Sequence, residues 1–140
     1  MGYNLKKEIK EAIRAGEKAL YSLKDAQKYL SKASTWGVVD ILGGGLFTDI
    51  MKHSNIREAS DCMEEAKRDL KRFSKELDDI DEYLPDINMG EFLTFADFFF
   101  DGFVADVFMQ SRISEAEKQV EDAIRQVNGI LKRLKKELYK

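Results

Sequence analysis

Three stretches of the chain repeat apolar residues at alternating spacings of three and four. They run roughly from Tyr3 to Ser34, from Asn55 to Leu84 and from Ile113 to Leu138. Such spacing places the apolar side chains on one face of an α-helix, and its regular repetition is typical of helices that pack in bundles or coiled coils. Pro85 ends the second stretch. The pattern predicts three long amphipathic helices that pack on one another or on a second copy.

Two apolar segments of a different character lie between these stretches. Residues 36–49 are interrupted by three consecutive glycines at 43–45, and residues 92–106 are interrupted by Asp101 and Gly102. Glycine is a strong local breaker of helices. Each segment is therefore predicted to form two short helical pieces joined at glycine, in the manner of a hairpin.

An internal duplication relates the two halves of this pattern. When the chain is shifted by 57 residues, residues 33–77 align with residues 90–134 without gaps, and 12 of the 45 positions are identical. Three identities fall outside the heptad positions, so a shared helical pattern does not explain them: Asp40 with Asp97, Gly45 with Gly102, and Asp49 with Asp106. The predicted fold is all-α, a single domain over residues 1–140, in which three long helices form a bundle with two duplicated short helical Asp/Gly segments.

Charge predicts how the first two helices pair. The first helix begins with basic residues at positions 6, 7, 10 and 14, whereas the second ends with acidic residues at 76, 78, 79, 81 and 82. An antiparallel hairpin would bring these two ends together. The last helix also ends in a basic run at positions 132–136.

Two short motifs carry a resemblance to a known family. Trp36 to His53 follows the pattern Trp-Gly-x-x-Asp-x-x-Gly-Gly-Gly followed by Lys-His, and Phe95 to Gly102 follows Phe-Ala-Asp-x-Phe-Phe-Asp-Gly. The resemblance extends over about half of the chain. This half resembles a family of small bacterial all-helical proteins without an assigned activity. The resemblance implies an all-helical fold and brings no substrate or cofactor with it.

Composition narrows the functional classes. The chain has 140 residues, of which 44% are hydrophobic, and a formal net charge of −3. It is therefore too apolar for a disordered chain and lacks the basic excess of a nucleic-acid binder. Its N-terminus has no apolar core of a signal peptide, and no uncharged apolar stretch is long enough to span a bilayer. The cytoplasm is the expected location.

The best candidate for a functional site is a set of aspartates in and around the duplicated segments. If the two copies pack by pseudo-twofold symmetry, their carboxylates and one imidazole converge, and this is a ligand set for a divalent metal: Asp40, Asp49, His53, Asp97 and Asp106. The competing interpretation is that these aspartates cap helices and shape turns. No Glu-x-x-His motif of the di-iron bundles accompanies them.

Other chemistries lack their required residues. The glycine triplet is not followed by the Gly-Lys-Ser/Thr of a phosphate-binding loop, and the phenylalanine-rich segment carries aspartates where a membrane-surface helix would be basic. Cys62 is the only cysteine, so it cannot form an intramolecular disulfide. No histidine is predicted beside it, so we expect Cys62 to be inert. A catalytic role is disfavoured, because the single histidine has no evident nucleophile to activate.

These observations favour an interaction or scaffold protein over an enzyme. The expected mode of action is self-association or helix–helix docking, so the expected partner is a second copy or another helical protein, with neither nucleic acid nor membrane involved. The alternative is a protein that binds a divalent metal or a small ligand through the aspartate cluster.

Overall fold

The described residues form four α-helices in a bundle and contain no β-strand. The computed structural model describes residues 4–43, 46–102 and 113–139, with side chains described for 4–31, 58–97 and 117–139. The helices are α1 (Leu5–Gly43), α2 (Leu46–Ile80), α3 (Met89–Gly102) and α4 (Ile113–Leu138), and a 3-10 turn (Asp81–Tyr83) follows α2. The predicted all-α bundle is confirmed at this level.

The first two helices are longer than the hydrophobic pattern predicts. α1 continues past Ser34 to Gly43, and α2 begins at Leu46 instead of near Asn55. The described parts of the segment 36–49 are therefore not independent short helices, because residues 36–43 form the end of α1 and residues 46–49 form the start of α2. A lone Gly37 costs a helix only about 1 kcal/mol, which is too little to end one of this length. α1 ends at Gly43, the first residue of the glycine triplet.

Local sequence explains several helix ends. The Asn4 side chain caps α1 by accepting a hydrogen bond from the backbone N–H of Lys7, at 3.1 Å. Asn88 caps α3 in the same way, since its Oδ1 atom accepts from the N–H of Glu91 at 3.4 Å. α2 ends in the 3-10 turn, which lies just before Pro85. The proline ring disfavours a helical conformation in the preceding residue, Leu84.

α1 and α2 pack as an antiparallel hairpin along their described lengths. Lys18 contacts Asp69, Asp25 contacts Cys62, and Glu11 lies near Glu76, so the residue numbers fall along one helix as they rise along the other. This geometry brings the start of α1 to the end of α2, as the charge pattern predicts. α3 packs beside α2, and α4 packs against α1 and α3.

The core is a stripe of small and large apolar side chains. In α1, Ala12, Ala19 and Ala26 are fully buried at intervals of seven residues, a spacing that lets a second helix approach closely. The larger buried side chains come from all four of the described helices, and they include Leu23, Leu30, Phe73, Phe92, Leu70, Met63, Leu134 and Val120. Burying such side chains stabilises the fold by about 1.5–3 kcal/mol each.

One layer of the core contains a residue from every helix. Phe73 of α2 and Phe92 of α3 meet edge to face, with ring centroids 5.4 Å apart. Gly16 of α1 lies against Phe73 and against Leu131 of α4. A Cβ atom at this position would be 2.8 Å from the Phe73 ring and 2.7 Å from Leu131. Gly16 is thus the contact point where α1 approaches two other helices.

Candidate functional site

The predicted metal ligands lie almost entirely outside the described side chains. This applies to Asp40, Asp49, His53 and Asp106. Asp97 is the one described member, and its side chain is exposed on α3. The convergence of these residues on a metal therefore stays a prediction.

A groove of 740 Å³ lies between α2 and α3. α2 contributes most of its lining, because the positions spaced three and four apart along its outer face turn toward α3. The lining residues are Arg68, Lys71, Arg72, Ser74, Lys75, Asp78, Leu93 and Asp97. Four cations outnumber two carboxylates, so the groove is positively charged.

One of these cations is neutralised within the chain. The Arg68 guanidinium donates to Glu65 at 2.6 Å, and this bond raises the pKa of Arg68 and lowers that of Glu65. Lys71, Arg72 and Lys75 form no ion pair within the part of the chain that the structure describes. The groove thus holds cations without a counter-ion, on long aliphatic stems that can cover an apolar partner.

An acidic block lies at one end of the groove, in the last turn of α2 and in the 3-10 turn that follows it. Asp78, Asp79, Asp81 and Glu82 are all exposed, and Tyr83 beside them is 43% exposed. A hydrogen bond to the Glu82 carboxylate raises the pKa of Tyr83. The outer face of α2 therefore changes sign at about position 76, from a basic to an acidic block.

A polar network fixes the register of α1 against α2. The Ser22 hydroxyl donates to Asp69 Oδ2 at 2.5 Å, and Lys18 Nζ donates to the same carboxylate at 3.1 Å. Ser22 is 4% exposed, and the Asp69 side chain is 12% exposed. The bonds to Asp69 and then to Glu65 raise the pKa of Lys18. This network is structural, because its donors and acceptors satisfy one another.

Three carboxylates meet where the start of α1 faces the end of α2. Oxygens of Glu8, Glu11 and Glu76 all lie within 4.8 Å of one another. The charge pattern predicts that the basic residues of α1 face this acidic end of α2, but glutamates of α1 face it as well. Partial burial raises the pKa of Glu76, and the charges of Glu11, Asp79 and Glu8 raise it further. The cluster is electrostatically unfavourable at neutral pH.

We expect this cluster to make stability fall as pH rises. Because the pKa of Glu76 is higher in the folded than in the unfolded state, the folded protein binds more protons above pH 4.5, and its free energy of unfolding declines as pH rises through the raised pKa. Glu76→Gln should remove that decline and stabilise the protein at pH 7 by about 0.5–1 kcal/mol. Urea unfolding between pH 4.5 and pH 7.5 measures both effects.

Glu121→Gln serves as the control for Glu76→Gln, since Glu121 is an exposed glutamate of α4 far from the cluster in sequence. Glu121→Gln should decline in free energy of unfolding with rising pH as steeply as the wild type does. A Glu76→Gln protein that is less stable than the wild type at pH 7 would contradict the electrostatic interpretation.

Cys62 lies half-buried on α2 with its Sγ atom 3.6 Å from the Asp25 carboxylate of α1. Burial raises the pKa of the thiol from 9.0 to about 11, and the negative charge of Asp25 adds to the shift. The thiolate is the nucleophilic and metal-binding form of cysteine. The sequence-based prediction that Cys62 is inert agrees with this environment.

We expect Cys62 to react with an aromatic disulfide reagent at pH 8 roughly a hundredfold more slowly than a small-molecule thiol of ordinary pKa, because its thiolate fraction is lower by that factor. Asp25→Asn should accelerate the reaction, since it removes a charge that opposes ionisation. Release of the coloured product measures the rate. A wild-type rate equal to that of the small thiol would show that the pKa is not raised.

Sequence reasoning missed the groove and the carboxylate cluster. Each depends on which charged residues of α2 turn toward α3 and which turn toward α1, and an amphipathic pattern places all of them on a single polar face. The helix positions of Lys71, Lys75 and Asp78 would have revealed the change of sign along that face.

No family model matches the chain, and no curated protein or solved structure matches it significantly. The resemblance to small bacterial helical proteins thus stays a prediction. No helix of the described residues is long and apolar enough to cross a membrane.

Proposed function

We propose that the protein is a helical interaction protein of the cytoplasm, that it acts by self-association or by docking a helix of a partner, and that it is not an enzyme. The observation that supports this most is the groove between α2 and α3. It is open along its length, Leu93 provides an apolar contact, and unpaired cations on flexible stems surround it. Such a surface suits a macromolecular segment better than a small substrate, which needs an enclosed pocket.

We also propose that the bundle arose by duplication of one helix-entry unit. The support is the burial of equivalent positions in α2 and α4. Five of the buried residues of α2 have a buried counterpart in α4 that lies 57 positions later: Met63 with Val120, Ala66 with Ala123, Leu70 with Val127, Phe73 with Ile130, and Leu77 with Leu134. Self-association would extend the packing of such repeated units to a second chain.

Light scattering across a range of protein concentrations tests the proposed function. We expect the measured mass to rise from the monomer mass of 16.1 kDa toward twice that value as concentration increases. A protein that stays monomeric and retains no helical partner in crosslinking of cell extracts would contradict the proposal.

The alternative, a divalent-metal or small-ligand site at Asp40, Asp49, His53, Asp97 and Asp106, stays a prediction. Elemental mass spectrometry of the purified protein addresses it directly. Stoichiometric metal that disappears in an Asp40→Ala/Asp97→Ala variant would favour the alternative. Unchanged metal content with lower stability would favour capping and turn roles for these aspartates.

A further inference from the structure

The outer face of α2 carries two blocks of opposite charge in sequence order. Lys71 and Lys75 lie in the first block, and Asp78 and Asp79 lie in the second. All four side chains are exposed, and their spacings of three and four place them on one stripe. Among the described residues, none of the four forms an ion pair. Neighbouring like charges within each block repel one another, so each block is stabilised by a surface of opposite charge.

A second copy of α2 provides such a surface when it runs antiparallel. In a twofold-symmetric contact, if residue i of one copy faces residue j of the other, then j also faces i. An axis near positions 76 and 77 puts Lys75 opposite Asp78 of the other copy, and it puts Lys71 opposite Glu82. The opposite alignment, with the helices parallel, would put like charges against each other.

The groove between α2 and α3 leaves the outer face of α2 open to the α2 helix of a second copy. α1 flanks α2 on one side, through Ser22 and Lys18, and α3 flanks it on the other, through Leu93 and Asp97. The stripe between them is open, and the stems of the lysines together with Leu93 provide apolar area for packing.

We propose that two copies of this chain associate through the α2–α3 groove, with their α2 helices antiparallel and the basic block of each copy facing the acidic block of the other. This inference rests on the proposed function and specifies the surface that performs it. Because exposed ion pairs contribute little individually, the dimer is weak and reversible, and it weakens further as salt is added.

Complementary charge reversal tests the arrangement. Lys71→Glu/Lys75→Glu makes the basic partner of each intermolecular pair acidic, and Asp78→Lys/Glu82→Lys makes the acidic partner of each pair basic. Each variant alone should dimerise at least tenfold more weakly than the wild type, because every intermolecular pair becomes repulsive. An equimolar mixture of the two should form a heterodimer, because all pairs are again opposite in sign.

Sedimentation equilibrium at protein concentrations up to about 1 mM, in low and high salt, measures the dissociation constants. Circular dichroism first verifies that each variant is folded. Lys132→Glu/Lys136→Glu reverses two exposed charges of α4 and is the matched control, which should dimerise like the wild type.

The possible failures are distinguishable. A wild type that associates, but with an affinity unaffected by the α2 reversals, overturns the proposed surface and leaves self-association standing. If both reversal variants dimerise weakly and their mixture also forms no heterodimer, the antiparallel arrangement is wrong. A wild type that is monomeric at the highest concentration in low salt overturns this inference and the self-association part of the proposed function, leaving only docking of a different protein.

Discussion

Replacing Gly16 with alanine is expected to lower the free energy of unfolding by up to about 2 kcal/mol, although alanine is the better helix former. The added Cβ atom would lie 2.7 Å from Leu131 Cδ2 and 2.9 Å from Phe73 Cζ. Leu131 can rotate away, but the Phe73 ring is fully buried against Phe92 and cannot. Overpacking costs about 1–3 kcal/mol, and the gain in helix propensity offsets about 1 kcal/mol of this.

Gly129→Ala is the matched control, because it makes the same chemical change inside another helix. A Cβ atom at Gly129 would meet nothing within 4 Å. This variant should gain about 0.5–1 kcal/mol, since alanine restricts the unfolded chain and favours the helix. Chemical denaturation of both variants gives the difference. If Gly16→Ala also stabilised the protein, the close approach of α1 to Phe73 would be wrong.

Removing the carboxylate of Asp69 is expected to destabilise the protein by about 2 kcal/mol. In Asp69→Ala the Ser22 hydroxyl loses its partner while it stays buried, and an unsatisfied buried hydroxyl costs about 1–3 kcal/mol. Lys18 keeps Glu65, at 3.2 Å, so the surface ion pair is only partly lost. The hydrogen bond across the helix interface therefore dominates the effect.

Asp69→Asn separates the hydrogen bond from the charge. The amide oxygen can still accept from Ser22, so this variant should lose less than half as much as Asp69→Ala. The double variant Ser22→Ala/Asp69→Ala should lose less than the sum of its single substitutions, because the two residues are coupled. An Asp69→Asn protein as unstable as Asp69→Ala would show that the charge pair with Lys18 matters more.

The helical fold could be predicted from the sequence, because it depends on the regular spacing of apolar residues. The heptads of α2 and α4 predict their buried faces correctly, from Met63 to Leu77 and from Val120 to Leu134. The start of α2 was not accessible in the same way. A glycine-rich apolar segment lacks an amphipathic pattern, so neither the continuation of α1 to Gly43 nor the start of α2 at Leu46 leaves a periodic signal.

The candidate site was less accessible than the fold. The groove and the Glu8, Glu11 and Glu76 cluster depend on how far each helix is rotated about its axis and on which neighbour lies beside it. A rotation of a few tens of degrees would exchange a residue of the groove for one that faces α1. Tertiary packing decides that rotation through contacts distant in sequence, such as those of Gly16 with Phe73 and Leu131.

The layer that contains Gly16, Phe73, Phe92 and Leu131 also determines how the bundle opens. Each helix contributes one of these residues, so no helix can detach alone without leaving a cavity beside the two aromatic rings. The backbone amides around the layer should therefore exchange their hydrogens with solvent only when the whole bundle unfolds, as one cooperative unit. Toward either end of the layer, opening can be local, and exchange there becomes progressively faster.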